Sequence, residues 1–376
     1  MLAGVEGARS ADWSFETFTR QRVTYDDNIG LNRQDVVSDL SSQSTLKVDL
    51  GRKSQSHRFG LSSRFDYTTF LEERDLDSDD QRVAVYGDYQ GALMGWGLTA
   101  AYSRDTTRTR DEDDTGQFIL ENLRRHEVEV KPSWSLLVSQ VDRIALRAEF
   151  DSVQFEEQLI DFWRLSGELA WTRKLSQSDE VEVSAFASLI EPDDDLDRQT
   201  QAYGLKAGWS TMPLRGLEVR LGAGVYWART AFDPSSDQAG SFGDQTSLGA
   251  LPSLGISYQI DPESRFSAAY ARSIRPSGGG AVLERDRLEA SFERAWSPRG
   301  SWRIDFRYQS QSDLEDGGND RDLITIAPSV AWQLTESWAL RGAYRFRWQS
   351  LDGNGEDALS NAVFMTMTYE PWTYQP

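Results

Sequence analysis

The chain has 376 residues, a formal net charge of -20, 39% hydrophobic residues, and 13 Trp, 13 Tyr and 17 Phe. The absence of cysteine excludes disulfides, Cys-ligated zinc, iron–sulfur clusters and thiol nucleophiles. The acidic balance leaves no basic footprint for nucleic acid, and no apolar run approaches the roughly 18 residues of a transmembrane helix.

Residues 1–11 read as a signal remnant or a flexible N-terminus, with Ala8 and Ser10 as small residues before a cut. From residue 12 onward polarity alternates with period two, and no segment shows a helical period of similar strength. Ile144, Leu146, Ala148 and Phe150 alternate with Arg143, Ala145, Arg147 and Glu149. Leu217, Val219, Leu221, Ala223, Val225 and Trp227 alternate with Glu218, Arg220, Gly222, Gly224 and Tyr226. Near the end, Trp338, Leu340, Gly342, Tyr344, Phe346 and Trp348 share one parity, and Arg341, Arg345 and Arg347 the other.

About 18 strands are predicted, starting near 12, 41, 57, 81, 95, 121, 142, 161, 180, 199, 217, 245, 264, 284, 301, 321, 337 and 357. Tight connections such as Ser176–Asp179, Pro213–Gly216 and Ser297–Gly300 alternate with longer polar ones such as 26–40, 72–80, 110–120 and 232–244. Short turns at one end and longer loops at the other predict an all-β fold. It is a single antiparallel up-and-down transmembrane barrel over residues 12–376, as in bacterial outer membranes. Pro132, Pro252 and Pro328 fall inside strands, where a missing N–H interrupts the ladder, and a shared bulge is expected at each. The connections are too short for a large folded plug, so side chains or a short inward loop must set any constriction.

Charge is unevenly placed. The nine longer connections hold 34 carboxylates and 5 arginines, a balance of -29, and the rest of the chain carries +9. Acidic runs such as Glu72-Glu73, Asp79-Asp80, Asp111–Asp114 and Asp193–Asp195 read either as solvated tips or as cation bridges to lipopolysaccharide. The polar strand parity carries Arg22, Arg64, Arg82, Arg147, Arg164, Lys206, Arg220, Arg303, Arg307, Arg341, Arg345 and Arg347. A charge facing lipid at mid-membrane costs ~2–4 kcal/mol, so this parity should face the lumen as pore lining. Two roles fit these bases. They brace the wall against Asp49, Asp66, Asp88, Glu149, Glu168, Glu218, Glu289 and Asp305, or they favour anionic and polyhydroxylated solutes. Tryptophans near strand ends read as interfacial girdles, and inward Tyr86 and Tyr226 as surfaces for stacking on a sugar.

Enzyme chemistry finds little footing. His57 and His126 are the two histidines, no Ser stands at a convincing spacing from either, and Gly278-Gly279-Gly280 lacks the Lys and Ser/Thr of a phosphate loop. No cofactor or metal is expected.

Residues 22–32, RVTYDDNIGLN, the last strand 361–369, NAVFMTMTY, and the Pro-Ser strands between them resemble outer-membrane barrels of exopolysaccharide-synthesis or PEP-CTERM gene clusters. The resemblance implies a porin-like channel akin to 18-stranded polysaccharide export porins. The sequence departs from outer-membrane habit after Tyr369, running on as Glu-Pro-Trp-Thr-Tyr-Gln-Pro. The expectation is therefore a conduit for an exopolysaccharide with periplasmic export partners, termini periplasmic and acidic loops outside. The alternatives are a diffusion porin for small anions or sugars and an adhesive surface barrel acting through its acidic loops.

Overall fold

The computed structural model describes residues 12–108, 122–156, 159–194, 198–232, 245–276, 282–313, 320–351 and 357–371. The N-terminal eleven residues, Asp111–Asp114, Asp195, Gly278–Gly280 and the last residues of the tail lie outside them.

The strands are β1 (Asp12–Asp26), β2 (Asp39–Lys53), β3 (His57–Phe70), β4 (Ser78–Gln90), β5 (Met94–Thr106), β6 (Arg124–Leu137) and β7 (Asp142–Phe155). There follow β8 (Phe162–Lys174), β9 (Asp179–Pro192), β10 (Gln199–Leu214), β11 (Leu217–Ala231), β12 (Gln245–Ala250) and β13 (Ser253–Asp261). The last are β14 (Ser264–Pro276), β15 (Val282–Ser297), β16 (Gly300–Asp313), β17 (Arg321–Gln333), β18 (Trp338–Leu351) and β19 (Asp357–Tyr369). The short segments β12 and β13 both pair with β11 and form one stave, so the 19 segments make an 18-stranded barrel. Each stave pairs antiparallel with its neighbours in sequence, β12 being laddered to β11 alone, and β1 closes the sheet on β19 from Thr19↔Tyr369 to Asp26↔Ala362. Closure gives backbone groups partners without water, which a membrane wall requires.

Short turns join the strands at one end. Ser54 N–H donates to His57 O, Gly91 N–H to Met94 O, and Leu175 N–H to Asp179 O, at 2.8 Å each. The two-residue turn after β10 places Gly216 at φ +85°, where any side chain is strained.

Pro132, Pro252 and Pro328 correct the expected bulge. Pairing simply lapses beside each, between Val130↔Phe150 and Ser133↔Arg147, between Val225↔Ala250 and Gly222↔Ser253, and between Ile326↔Phe346 and Ser329↔Ala343. The same number of residues passes on both strands, so register survives. The ladder shifts sit instead beside the short turns, at Thr211/Leu214, Gln259/Asp261 and Ala295/Ser297.

The outer face is apolar. Leu46, Val85, Leu98, Leu169, Val183, Leu205, Leu221, Val225, Val363 and Met365 are all exposed there. Aromatics ring both margins. Trp13, Trp96, Trp134, Trp171, Trp209, Trp296 and Trp338 lie toward the turns, and Tyr25, Tyr67, Tyr102, Tyr203 and Trp227 toward the loops. Trp338 packs on Tyr369 at 4.6 Å between ring centroids, tying β18 to β19 within the turn-side belt. From Trp13 to Tyr25 a strand tilted about 40° rises about 30 Å, the thickness of a hydrocarbon core.

Candidate functional site: the charged lumen

The inner parity encloses a cavity of about 1030 Å³. Of the bases expected to line a pore, Arg22, Arg64, Arg220, Arg303, Arg307, Arg345 and Arg347 border it, joined by Arg20, Arg108 and Arg265. Arg147 borders a smaller space of about 490 Å³ toward the turns, and Arg82, Arg164, Lys206 and Arg341 border neither.

Most of these bases are paired. Arg147 and Lys206 share Glu168 at 2.7 and 3.2 Å. Arg164 holds Glu149 at 2.8 Å and also bonds Asp151. Arg64 meets Asp66 at 2.5 Å, Arg82 meets Glu129 at 3.4 Å, and Arg220 meets Glu218 at 2.5 Å. Arg303 pairs with Asp305 at 2.7 Å and Arg307 with Glu289 at 3.2 Å. Asp49 and Asp88 find Lys47 at 2.7 Å and Arg58 at 2.6 Å, so each of the eight carboxylates expected in a bracing lattice has a base. Glu127, Glu129 and Asp151 bring carboxylate oxygens within 4.8 Å of one another. Arg125 at 3.0 Å from Glu127, Lys131 at 2.8 Å from Glu129, and Arg164 beside Asp151 neutralise the group. This stretch of wall, β6 to β8, is a cross-linked ionic lattice.

The arc β18–β19–β1–β2–β3 differs. Arg341, Thr366, Arg22, Gln43 and Thr68 occupy one row of directly opposed residues across it. Arg22 reaches Thr366 Oγ1 at 3.4 Å and lies 5.3 Å from the centre of the Phe364 ring. Arg341 donates to Ser329 Oγ at 2.7 Å, and Arg20 lies 5.2 Å from the Phe18 ring. Among the described residues none of Arg20, Arg22 and Arg341 has a carboxylate within 4.0 Å. Arg20, Arg64, Arg341 and Arg345 all lie close enough to Arg22 to act on its charge. Like charges gathered in a water-filled lumen attract anions. Arg20 was not singled out from sequence, although it stands two residues before Arg22 on the same parity. Arg265, also missed, donates to Ser257 Oγ at 3.3 Å.

Arg347 borders the cavity from within a buried knot. It is 2% exposed, and its guanidinium donates to Asp26 at 3.0 Å and Ser360 at 3.0 Å, beside Arg345 at 3.1 Å from the same Asp26. This knot anchors the first loop, and the Tyr-Asp-Asp-Asn-Ile run supplies its parts. Asp27 accepts from Asn361 backbone N–H at 2.6 Å, and the Asn28 side chain donates to Leu359 O at 2.8 Å. Beyond them Leu31, at φ 48°, packs on inward-facing Leu323 and Ala358, and Ile29 borders the cavity. The loop thus folds into the mouth of the barrel. Other acids of the longer connections also tie chain together. Asp39 accepts from Glu72 and Glu73 N–H at 3.1 and 2.9 Å, Asp79 bonds Arg104 at 2.9 Å, and Asp194 bonds Arg198 at 2.5 Å.

The inward aromatics lie over glycines of the next strand. Tyr86 lies across Gly60, Phe186 across Gly204 and Tyr226 across Gly249, each the directly opposed residue on the next strand. Tyr226 is 2% exposed and has no free face for a sugar. His126 lies between Tyr102 OH at 2.8 Å and Glu156 at 3.3 Å, and His57 lies against Phe59 and Tyr89.

No protein-family model matches the sequence, and no curated protein matches it. Solved structures do match. The copper transporter OprC aligns over 96% of this chain with TM-score 0.53 and 10% identity, this chain spanning 66% of its length. The ferric citrate transporter FecA in its unliganded form aligns over 96% of this chain and 78% of its own, with TM-score 0.53 and 8% identity. OccAB1 of Acinetobacter baumannii aligns over 99% of this chain and 100% of its own, with TM-score 0.50 and 10% identity. At such identities the likeness carries the fold, a closed antiparallel barrel of the porin type.

Proposed function

We propose that this chain is an outer-membrane diffusion channel with a preference for small anionic or polyhydroxylated solutes. The observation that carries the reading is the trio Arg20, Arg22 and Arg341, without a carboxylate within 4.0 Å among the described residues, in a lumen whose other bases are mostly paired. A guanidinium without a carboxylate partner keeps N–H groups to offer to a carboxylate, phosphate or sulfate group, and to hydroxyls more weakly. The porin-type fold supports the outer membrane as location, and its layout supports short turns and termini in the periplasm, with longer acidic loops outside among lipopolysaccharide.

The polysaccharide conduit is the second reading. It rests on the resemblance of the Tyr-Asp-Asp-Asn-Ile run and the last strand, and it would need periplasmic partners. A cavity of about 1030 Å³ with the first loop folded across its mouth favours small solutes over a polymer.

Planar-bilayer recording of the purified barrel tests the channel and its preference together. Anion-preferring current is expected, and the double variant Arg22→Glu/Arg341→Glu should turn that preference toward cations. A silent barrel overturns the channel, and unchanged selectivity in the variant returns these arginines to the wall. Loss of surface polymer on deletion of the gene, without a change in small-solute uptake, would favour the conduit.

A further inference from the structure

One edge of the wall is unzipped. β12 is laddered to β11 alone, from Val225↔Ala250 to Thr230↔Gln245. On its other side, β14 pairs with β13 only as far as Ser253↔Ala271, the last bond being Arg272 N–H to Pro252 O at 3.2 Å. From Arg272 onward β14 pairs only with β15, Arg272↔Asp286 to Pro276↔Val282. A seam therefore opens toward the loops between β12 and the upper β14–β15 hairpin.

The hairpin has gone inward. Its outer parity carries Arg272, Glu284 and Asp286, a cluster of charges in place of the apolar and aromatic residues that the outer face carries elsewhere. Arg272 grips Asp286 at 2.7 Å and Glu284 at 3.0 Å. Glu284 in turn accepts from the hydroxyl of Tyr226, on the inner face of β11, at 2.7 Å. On the same outer parity, Ile274 packs on Ala202, Tyr226, Ala228 and Leu251, all inner-face positions of the neighbouring staves. The outside of the hairpin thus lies against the inside of the wall. From its other face Arg275 comes close enough to Glu149 on β7 to act on that charge.

We propose that the inward-folded β14–β15 hairpin is the size-selecting element of the channel, and that Tyr226, through Glu284, is the residue that holds it there. The inference rests on the channel reading and adds its constriction. Continuing the register of Ser253↔Ala271 would set Leu251 opposite Ser273, so a released hairpin can return to β12 by exchanging side-chain bonds for the missing ladder. An element with two alternative packings is the substance of a switch.

Tyr226→Phe removes one hydroxyl and leaves the ring on Gly249. It should raise single-channel conductance roughly twofold and admit larger sugars in liposome-swelling assays, with circular dichroism showing an intact barrel. In the cysteine-free chain, Leu251→Cys/Ser273→Cys should cross-link under oxidant only when the hairpin is in the wall. It should then hold the higher conductance until reduced. Wild-type current that neither change alters overturns the proposal and leaves the channel standing. Silence from wild type and variants alike overturns both, and current appearing only on release supports both.

Discussion

Two arcs of one wall handle charge in opposite ways. Across β6 to β8, Glu127, Glu129, Glu149, Asp151 and Glu168 are cross-linked by Arg82, Arg125, Lys131, Arg147, Arg164 and Lys206. Across β18–β19–β1–β2–β3, arginines outnumber carboxylates, and among the described residues three have no carboxylate but only hydroxyls or ring faces for company. The lesson is that an inward arginine does not by itself make a pore charge. Its partner decides. A paired guanidinium acts as a rivet, with field largely cancelled within a few ångströms, and an unpaired one projects into the water.

The comparison can be broken most forcefully through stability. Arg164→Met strips Asp151, 8% exposed in its side chain, of its base. It should cost about 3–5 kcal/mol in unfolding titrations, as expected when one partner of a buried pair is lost. The same exchange at Arg22 removes like-charge repulsion and no ion pair, so its effect should stay within about 1 kcal/mol, with the sign toward stabilisation. Equal losses at both sites would erase the distinction. Next in size is the salt response. The proposed anion preference, if set by the unpaired arc, should fade between 0.1 and 1 M salt, as the screening length falls from about 10 to about 3 Å. A preference constant over that range would point to a steric origin. Smallest of all, Arg147→Gln, on the riveted arc, should move the permeability ratio by less than about twofold. A larger change would show that paired bases also steer solutes.

Much of the barrel is visible in the alternation itself. Strands expected near 57, 142, 199, 217, 245, 264, 321 and 357 begin at His57, Asp142, Gln199, Leu217, Gln245, Ser264, Arg321 and Asp357. The reason is physical, because a wall between lipid and water enforces period two, and a one-residue slip would turn every arginine toward lipid. The bracing partners were legible for the same reason, since parity decides which side chains can meet. Partnership within that face was not. Arg303 has Asp305 two residues along its own strand and Glu293 opposite it, whereas Arg22 meets Thr366 across the seam between first and last strands, and only the register shows which residue stands opposite. The folded-in hairpin did leave a trace, as Arg272, Glu284 and Asp286 fall on the parity reserved for lipid. Nothing short of the missing ladder says where such residues go instead.

The glycines under Tyr86, Phe186 and Tyr226 have a further consequence. Each ring lies flat because the opposed residue has no side chain, and a Cβ at Gly60, Gly204 or Gly249 would overlap it. The bore of the tube is thus written partly in residues that contribute nothing to its surface. A single methyl group, on the strand next door, would lift an aromatic ring off the wall and into the path of the solute. Lineages of such barrels could retune their width without touching a loop, a charge or a lipid contact.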